Sequence, residues 1–148
     1  MAQRASLERA ASMVTQLPGP ALMIGWHDGT AYDHLREAMR RRDILVFDKA
    51  IDAAEDLPPT PENRIVGDPF ETLPQAWERF PREAAFAHLN FPAPRGHVAA
   101  ELAPLVAPLL RPGAIVIVES ALDLPGWDLV TTAETPRDVR DYLYRIGG

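Results

Sequence analysis

The chain has 148 residues, 47% of them hydrophobic, which is enough for one domain with its own core, and we predict a single domain over residues 1–148. Cysteine is absent, which excludes disulfides, thiolate nucleophiles and zinc–thiolate or iron–sulfur sites. The formal net charge of −6 disfavours binding to nucleic acid, which is itself negatively charged. No apolar run approaches the ~20 residues of a membrane span, and the N-terminus lacks a signal-peptide pattern. We therefore expect a cytoplasmic protein whose partners include neither nucleic acid nor a membrane.

The spacing of apolar residues predicts helices that alternate with strands. Residues 5–17 carry apolar side chains three and four positions apart, which is typical of an amphipathic helix, and the Pro-Gly-Pro sequence at 18–20 ends it. We expect this N-terminal segment, residues 1–17, to cover the sheet. Further helices are predicted over residues 30–41, 49–55, 71–80 and 98–110, with a stop at 111–113.

Short apolar runs predict strands over residues 21–24, 44–47, 84–89 and 114–118, and three segments that also contain polar residues, 64–66, 128–131 and 142–146, are predicted as further strands. Unbroken runs, rather than alternating ones, indicate strands buried on both faces, as in a parallel sheet covered by helices on both sides. Only a turn or loop is predicted between the last two strands, which favours an antiparallel strand at the C-terminal edge. We therefore predict an α/β fold with three α-β-α layers, Rossmann-like, around a mostly parallel sheet.

Glycines and polar residues follow several of the predicted strands. Ligands of open α/β sheets bind at the C-terminal ends of the strands, which singles out residues 25–29, Asp48, residues 67–68, residues 88–90 and residues 119–120. Asp48 follows the first glycine of the 25–29 turn by 23 residues, close to the roughly 20 that separate a glycine turn from a ribose-binding carboxylate. Two roles fit Asp48: it binds ribose hydroxyls, or it caps the helix predicted after it.

Four segments in chain order carry a resemblance to a known family. They are GWHDGTAYDHLR at residues 25–36, VFDKA at 46–50, GDPFETLP at 67–74 and LVAPLLRPG at 105–113. The first resembles a GxGxG-Tyr-x-His-Leu-Arg region, and the third is similar to a Gly-Asp-x-x-Glu-Thr-Leu-Pro run. Together they resemble a small family of bacterial class I S-adenosylmethionine-dependent methyltransferases, over about residues 5–146.

The resemblance implies a methyltransferase fold that binds S-adenosylmethionine. It implies that Gly25 and Gly29 line the methionine part of this cofactor. Asp48 would bind the ribose, and Asp68 would lie beside the adenine. The other positions assigned to the cofactor are His27, Lys49 and Gly67 in the matching segments and Asn90 at the end of the fourth strand, and no metal is implied.

Three positions differ from the family pattern. Met23 stands where the first strand usually carries an acidic residue, His27 replaces the middle glycine of the turn, and Asn90 takes an acidic position on the fourth strand. Two functions therefore stay open. The first is transfer of a methyl group from S-adenosylmethionine to a small-molecule acceptor, and the second is a non-catalytic binding or assembly module. A homo-oligomer is possible in either case.

Two histidines have alternative roles. His27 lies at a strand end, where a general base for a methyl acceptor would be placed, but it also fits a turn residue packed beside Trp26. His88 lies within an apolar strand, and we expect a hydrogen-bonded core histidine there. We expect no metal site.

Overall fold

The computed structural model describes residues 2–92, 95–134 and 140–147. Its helices are α1 (Arg4–Met13), α2 (Thr30–Ala38), α3 (Pro69–Ala76) and α4 (Gly96–Val106), and 3₁₀ turns span Pro61–Asn63 and Ala107–Leu109. Its strands are β1 (Ala21–Ile24), β2 (Ile44–Asp48), β3 (Arg64–Val66), β4 (Ala84–Leu89), β5 (Leu110–Val118), β6 (Trp127–Glu134) and β7 (Arg140–Ile146).

The seven strands form one sheet in the order β3-β2-β1-β4-β5-β7-β6. Strands β1 to β5 pair in parallel, whereas β7 runs antiparallel to both of its neighbours, β5 and β6. The predicted α/β fold with a mostly parallel sheet and an antiparallel C-terminal part is therefore confirmed. The structure adds that the antiparallel strand β7 lies between β5 and the edge strand β6.

Helices cover both faces of the sheet. On the α3/α4 face, strand side chains such as Leu22 and Phe47 pack with Leu102 of α4. On the α1/α2 face, Met23 and Val46 pack with Leu7 of α1. Neighbouring residues of one strand, such as Leu22 and Met23, thus face opposite layers, which explains why the strands are unbroken apolar runs.

The predicted helix over residues 49–55 is wrong, because the structure gives residues 49–60 no helix. One guanidinium organises this segment instead. Arg64 donates hydrogen bonds to the carbonyl oxygens of Pro59, Ala53, Ala54 and Leu57 at 2.6–3.1 Å. These bonds satisfy loop carbonyls that a helix would have paired internally.

The prediction that residues 111–113 stop the fifth helix and precede the strand is also wrong, because β5 already begins at Leu110. The pairing of β5 with β4 is irregular at this point, between Ala84 and Phe86. Gly113 has φ +87° there, a conformation that glycine adopts readily. The Pro-Gly pair therefore makes an irregularity inside a strand. The turn predicted between the last two strands lies largely in residues 135–139, outside the described residues.

Within the described ranges, no helix has both the length and the apolar character to cross a membrane.

Candidate functional site

Hydrogen bonds continue past the C-terminal ends of four neighbouring strands. Gly25 donates its backbone N–H to the carbonyl of Phe47 at 2.9 Å, and Asn90 donates its own to Ile24 at 2.9 Å. Gly67 donates to the carbonyl of Asp48 at 3.0 Å. The strand-end residues singled out from the sequence on β1, β2, β3 and β4 therefore lie in one row along one edge of the sheet.

Asp48 joins the end of β2 to the turn after β1. Its Oδ2 accepts a hydrogen bond from the backbone N–H of Trp26 at 2.6 Å, and its Oδ1 accepts one from the N–H of Lys49 at 2.7 Å. Because no helix follows Asp48, the alternative that it caps one is wrong. The carboxylate is half-buried, and each oxygen keeps a second lone pair that could accept a hydroxyl. The residue next to it, Lys49, is exposed.

The imidazole of His27 spans the gap between the first turn and the end of β4. Its Nε2 lies 2.6 Å from the carbonyl oxygen of Asn90, and its ring meets Phe91 edge-on. Since a carbonyl only accepts hydrogen bonds, Nε2 carries the proton and Nδ1 is the nitrogen left to act as a base. His27 thus packs against the end of β4, and its backbone has φ +54°, a left-handed conformation.

Both glycines of the first turn are in close contact with the chain itself. A Cβ on Gly25 would lie 2.8 Å from the carbonyl oxygen of Asn90, and one on Gly29 would lie 2.7 Å from Cζ2 of Trp26. The Trp26 indole also packs against Tyr32, with ring centroids 5.3 Å apart. Glycine is therefore required at both positions by packing within the turn, and contact with the methionine part of a cofactor stays a prediction.

The remaining strand-end residues, Asn90, Asp68 and Gly67, also contact neighbouring parts of the chain. Asn90 is buried and donates its Nδ2 to the carbonyl of Gly25 at 3.2 Å, while its Oδ1 has no partner among the described residues. Asp68 caps α3 by accepting the N–H of Phe70 at 3.0 Å. A Cβ on Gly67 would lie 2.8 Å from Cγ2 of Thr72. The cofactor roles of these three residues stay predictions.

His88 is fully buried, and burial lowers its pKa to about 3. We expected a hydrogen-bonded core histidine, but neither ring nitrogen has a hydrogen-bond partner in the part of the chain that the structure describes. The expected hydrogen bonds are therefore wrong, although the buried position is confirmed. The imidazole is uncharged at neutral pH.

Asp141 is a buried polar residue that the sequence analysis missed. It lies at the start of β7, is 0% exposed, and accepts the backbone N–H of Gln3 at 2.9 Å on Oδ2. The available signal was its spacing from the apolar Leu143, because residues two apart in a strand share a face.

A groove of about 800 Å³ lies at the opposite edge of the sheet, near the ends of α1 and α2. Arg42, one of its lining residues, donates to the carbonyls of Val14, Leu17 and Gly19 at 2.6–3.0 Å. The guanidinium therefore fastens the chain before β1. Among the residues described, no group of three or more His, Asp or Glu side chains is arranged to hold a metal ion.

Comparisons with known proteins agree with this architecture. A family model described as S-adenosyl-L-methionine methyltransferase matches residues 1–146. The crystal structure of an S-adenosyl-L-methionine methyl transferase from Silicibacter pomeroyi DSS-3 is 30% identical, with a TM-score of 0.80 over 97% of this chain and 91% of that chain. No curated protein sequence matches the chain significantly.

More distant structures share the fold alone. The O-methyltransferase TomG from Streptomyces achromogenes, in complex with SAM, is 12% identical with a TM-score of 0.70, over 100% of this chain and 82% of that chain. A variant of the 16S rRNA (adenine(1408)-N(1))-methyltransferase from Catenulisporales acidiphilia is 12% identical. Its TM-score is 0.58, over 99% of this chain and 91% of that chain. Because the family model covers almost the whole chain and a 30% identical relative shares its length, the chain belongs to the S-adenosyl-L-methionine methyltransferase family.

Proposed function

We propose that this protein binds S-adenosylmethionine at the C-terminal ends of β1 to β4 and transfers its methyl group to a small-molecule acceptor. The observation that carries the proposal is the position of Asp48. Its carboxylate holds the first turn by the N–H of Trp26 and keeps free lone pairs at the strand edge where ligands of such sheets bind.

The residues at this edge fit the parts of the cofactor. Asp48 would accept the ribose hydroxyls, and the residues around Gly67 and Asp68 would lie beside the adenine. The turn from Gly25 to Gly29, which includes His27, would line the methionine part, together with the exposed Lys49 and the buried Asn90. The Oδ1 of Asn90 supports this arrangement, because a buried oxygen without a partner in the described chain is suited to accept a ligand hydrogen bond.

S-adenosylmethionine, when bound, supplies a methyl group on a positively charged sulfur, and an acceptor atom takes that group as the sulfur–carbon bond breaks and a neutral thioether forms. The protein has to position the acceptor in line with that bond and to keep water out. His27 is the candidate for removing the acceptor's proton, through Nδ1, since its Nε2–H is held by Asn90.

Titration with S-adenosylmethionine and S-adenosylhomocysteine tests the proposal. Both should raise the melting temperature, because a ligand that binds only the folded state stabilises it. Asp48→Asn keeps an oxygen for the N–H of Trp26 but weakens acceptance of ribose hydroxyls, so we expect Kd to rise about 10- to 100-fold. Isothermal titration calorimetry measures the change.

Asp52→Asn is the matched control, because it removes the same charge from an exposed position in the following loop. Its Kd should equal that of the wild type. An affinity of Asp48→Asn equal to that of the wild type would contradict the ribose assignment. The absence of any binding at millimolar cofactor would contradict the proposed methyltransferase activity.

A second candidate function is a non-catalytic binding or assembly module. The observation that favours it is the filling of the first turn by its own side chains, with His27 against Asn90 and Trp26 against Gly29. A cofactor would meet the imidazole where the family has only a glycine.

Removal of the His27 ring separates the two functions. His27→Gly suits the left-handed backbone at this position, and we expect tighter binding of S-adenosylhomocysteine, about tenfold, if the imidazole obstructs the site. His27→Ala removes the same ring but leaves a strained backbone. Because both variants lack the imidazole, both should bind alike. Unchanged affinity in both would show that the ring does not obstruct, and no binding by any form would favour the module.

The partners and location are proposed from charge and composition. A net charge of −6 supports a small molecule rather than nucleic acid as acceptor. We also propose that the protein is cytoplasmic and acts without a membrane partner, and we leave a homo-oligomer open. Salt-dependent binding to an RNA oligonucleotide would overturn this choice of acceptor.

A further inference from the structure

An arginine groove lies at the edge of the sheet opposite the proposed cofactor site. It has a volume of about 800 Å³ and lies near the ends of α1 and α2. Three consecutive arginines, residues 40–42, line it, and the first two are exposed. Its acidic lining residues are Glu37, which forms an ion pair with Arg4, and Asp43. The arginines therefore outnumber the remaining acidic charge, and the groove is a positive region in a chain whose net charge is −6.

The wall of the arginine groove is fixed by two guanidinium groups. Arg42 donates hydrogen bonds to three carbonyls of residues 14–19 at 2.6–3.0 Å, and Arg111 donates one to the same segment at 2.5 Å. Burial and the charge of Arg111 lower the pKa of Arg42, so two positive charges lie close together beside the groove. Leu17 and Met39 add apolar surface to the lining. The groove therefore suits a partner that carries acidic and apolar side chains together.

The acidic loop, residues 52–57, offers this combination. Its exposed acidic side chains are Asp52, Glu55 and Asp56. Leu57 follows them and is 57% exposed, the second-highest exposure among the large apolar side chains that remain on the surface. Arg64 holds the backbone of this loop through the carbonyls of Ala53, Ala54 and Leu57. The acidic side chains are therefore presented from an ordered segment, which lowers the entropy cost of binding.

The two surfaces lie at different places on one molecule. Arg64, which holds the acidic loop, is the first residue of β3, whereas the groove is formed by the chain before β1 and before β2. No residue of the acidic loop lines the groove. A contact between the two surfaces therefore joins two molecules.

We propose that the acidic loop of one molecule binds in the arginine groove of a second copy, so that copies associate head to tail. One copy contributes its loop and the other its groove, which makes the contact heterologous. Opposite charges steer the surfaces together, and Leu57 packs against the apolar part of the groove. A second copy fits better than nucleic acid, because a phosphate backbone offers no apolar side chain and the net charge of −6 repels a long polyanion. The association does not depend on methyl transfer.

Sedimentation equilibrium of the full chain measures the association. The weight-average mass of the wild type should rise with protein concentration up to about 1 mM, a range that detects even a weak contact. Raising the salt concentration from about 0.1 M to about 1 M should weaken the association about tenfold, because the Debye length falls from about 10 Å to about 3 Å.

Two double variants alter one surface each. Arg40→Gln with Arg41→Gln removes two charges from the groove and leaves Arg42, which holds its wall, in place. Glu55→Gln with Asp56→Asn removes two charges from the acidic loop. Each double variant should weaken self-association about tenfold, because two charge-assisted contacts are lost.

Matched controls remove the same number of charges elsewhere. Arg9→Gln with Arg79→Gln is the control for the groove, and Glu78→Gln with Glu101→Gln is the control for the loop. All four residues are exposed and lie outside the groove and the loop. Both controls should associate as the wild type does.

A mixture of the two double variants tests the head-to-tail geometry. Each variant keeps one intact surface, so the loop of the groove variant still fits the groove of the loop variant. The mixture should form 1:1 dimers that do not extend further. A mixture that associates no more than its components, or wild-type association in either double variant, would overturn the inference. A wild type that stays monomeric at about 1 mM would overturn it as well, even if the variants do not fold.

Discussion

The two faces of the sheet differ in how many of their buried polar groups have hydrogen-bond partners. On the α3/α4 face, the hydroxyl of Tyr144 accepts the N–H of Leu122 at 2.8 Å, and the indole N–H of Trp77 donates to Leu105 at 2.8 Å. On the α1/α2 face, the indole N–H of Trp26 has no partner among the described residues.

The buried polar residues of the strands also differ between the two faces. The two fully buried ones, His88 and Asp141, both lie on the α1/α2 face, and both carry atoms without a partner in the described chain. Buried polar groups in native proteins are nearly always bonded, so a group of exceptions on one face needs an explanation. The α3/α4 face also keeps one such group, Oγ1 of Thr72 in α3, so the two faces differ in degree: the α1/α2 face keeps more unused hydrogen-bonding capacity.

The largest expected difference between the faces is in the pH dependence of stability. The pKa of His88 is about 3 in the folded chain against 6.5 when exposed, so between these values the unfolded chain binds a proton that the folded chain does not. Stability is therefore full above pH 6.5 and falls by about 1.4 kcal/mol per pH unit below it.

His88→Leu should remove this contribution. The free energy of unfolding, measured by urea denaturation at pH 6 and at pH 4, should fall by about 2 to 3 kcal/mol less in the variant than in the wild type. The same substitution at exposed His97 is the control for removing an imidazole. An identical pH dependence in His88→Leu and the wild type would contradict the burial of an unpartnered imidazole.

The sequence predicted the framework well because its signals were local. Short apolar segments bounded by glycine, proline or polar residues located β1, β3 and β4 at the observed residues. The rule that ligands bind at strand ends then selected Gly25, Asp48 and Asn90, which the structure places in one row.

What the sequence could not predict depends on distant contacts. The loop after β2 is shaped by Arg64, whose guanidinium reaches backbone carbonyls 5 to 11 residues before it, so helical periodicity there was misleading. Asp141 is bonded to Gln3 from 138 residues away. No local pattern reports such a contact, and the same holds for the His27 ring, which meets Asn90 63 residues further on.

The smallest expected difference comes from removing a single oxygen on each face. Tyr144→Phe leaves the N–H of Leu122 without its acceptor, so we expect a loss of about 1 kcal/mol in the free energy of unfolding. Ser6→Ala removes a buried hydroxyl of α1 that has no partner in the described chain. Its removal should raise stability by about 0.5 kcal/mol, since alanine also favours the helix.

Urea denaturation of the two variants under one set of conditions gives the comparison directly, because each change deletes one oxygen and leaves the carbon framework in place. An equal loss in both variants would mean that the hydroxyl of Ser6 has a partner in solution and that the α1/α2 face is as satisfied as the other. A loss for Tyr144→Phe alone would show that the two faces differ in the folded protein itself. The unpartnered atoms of the α1/α2 face would then be a property of the native state.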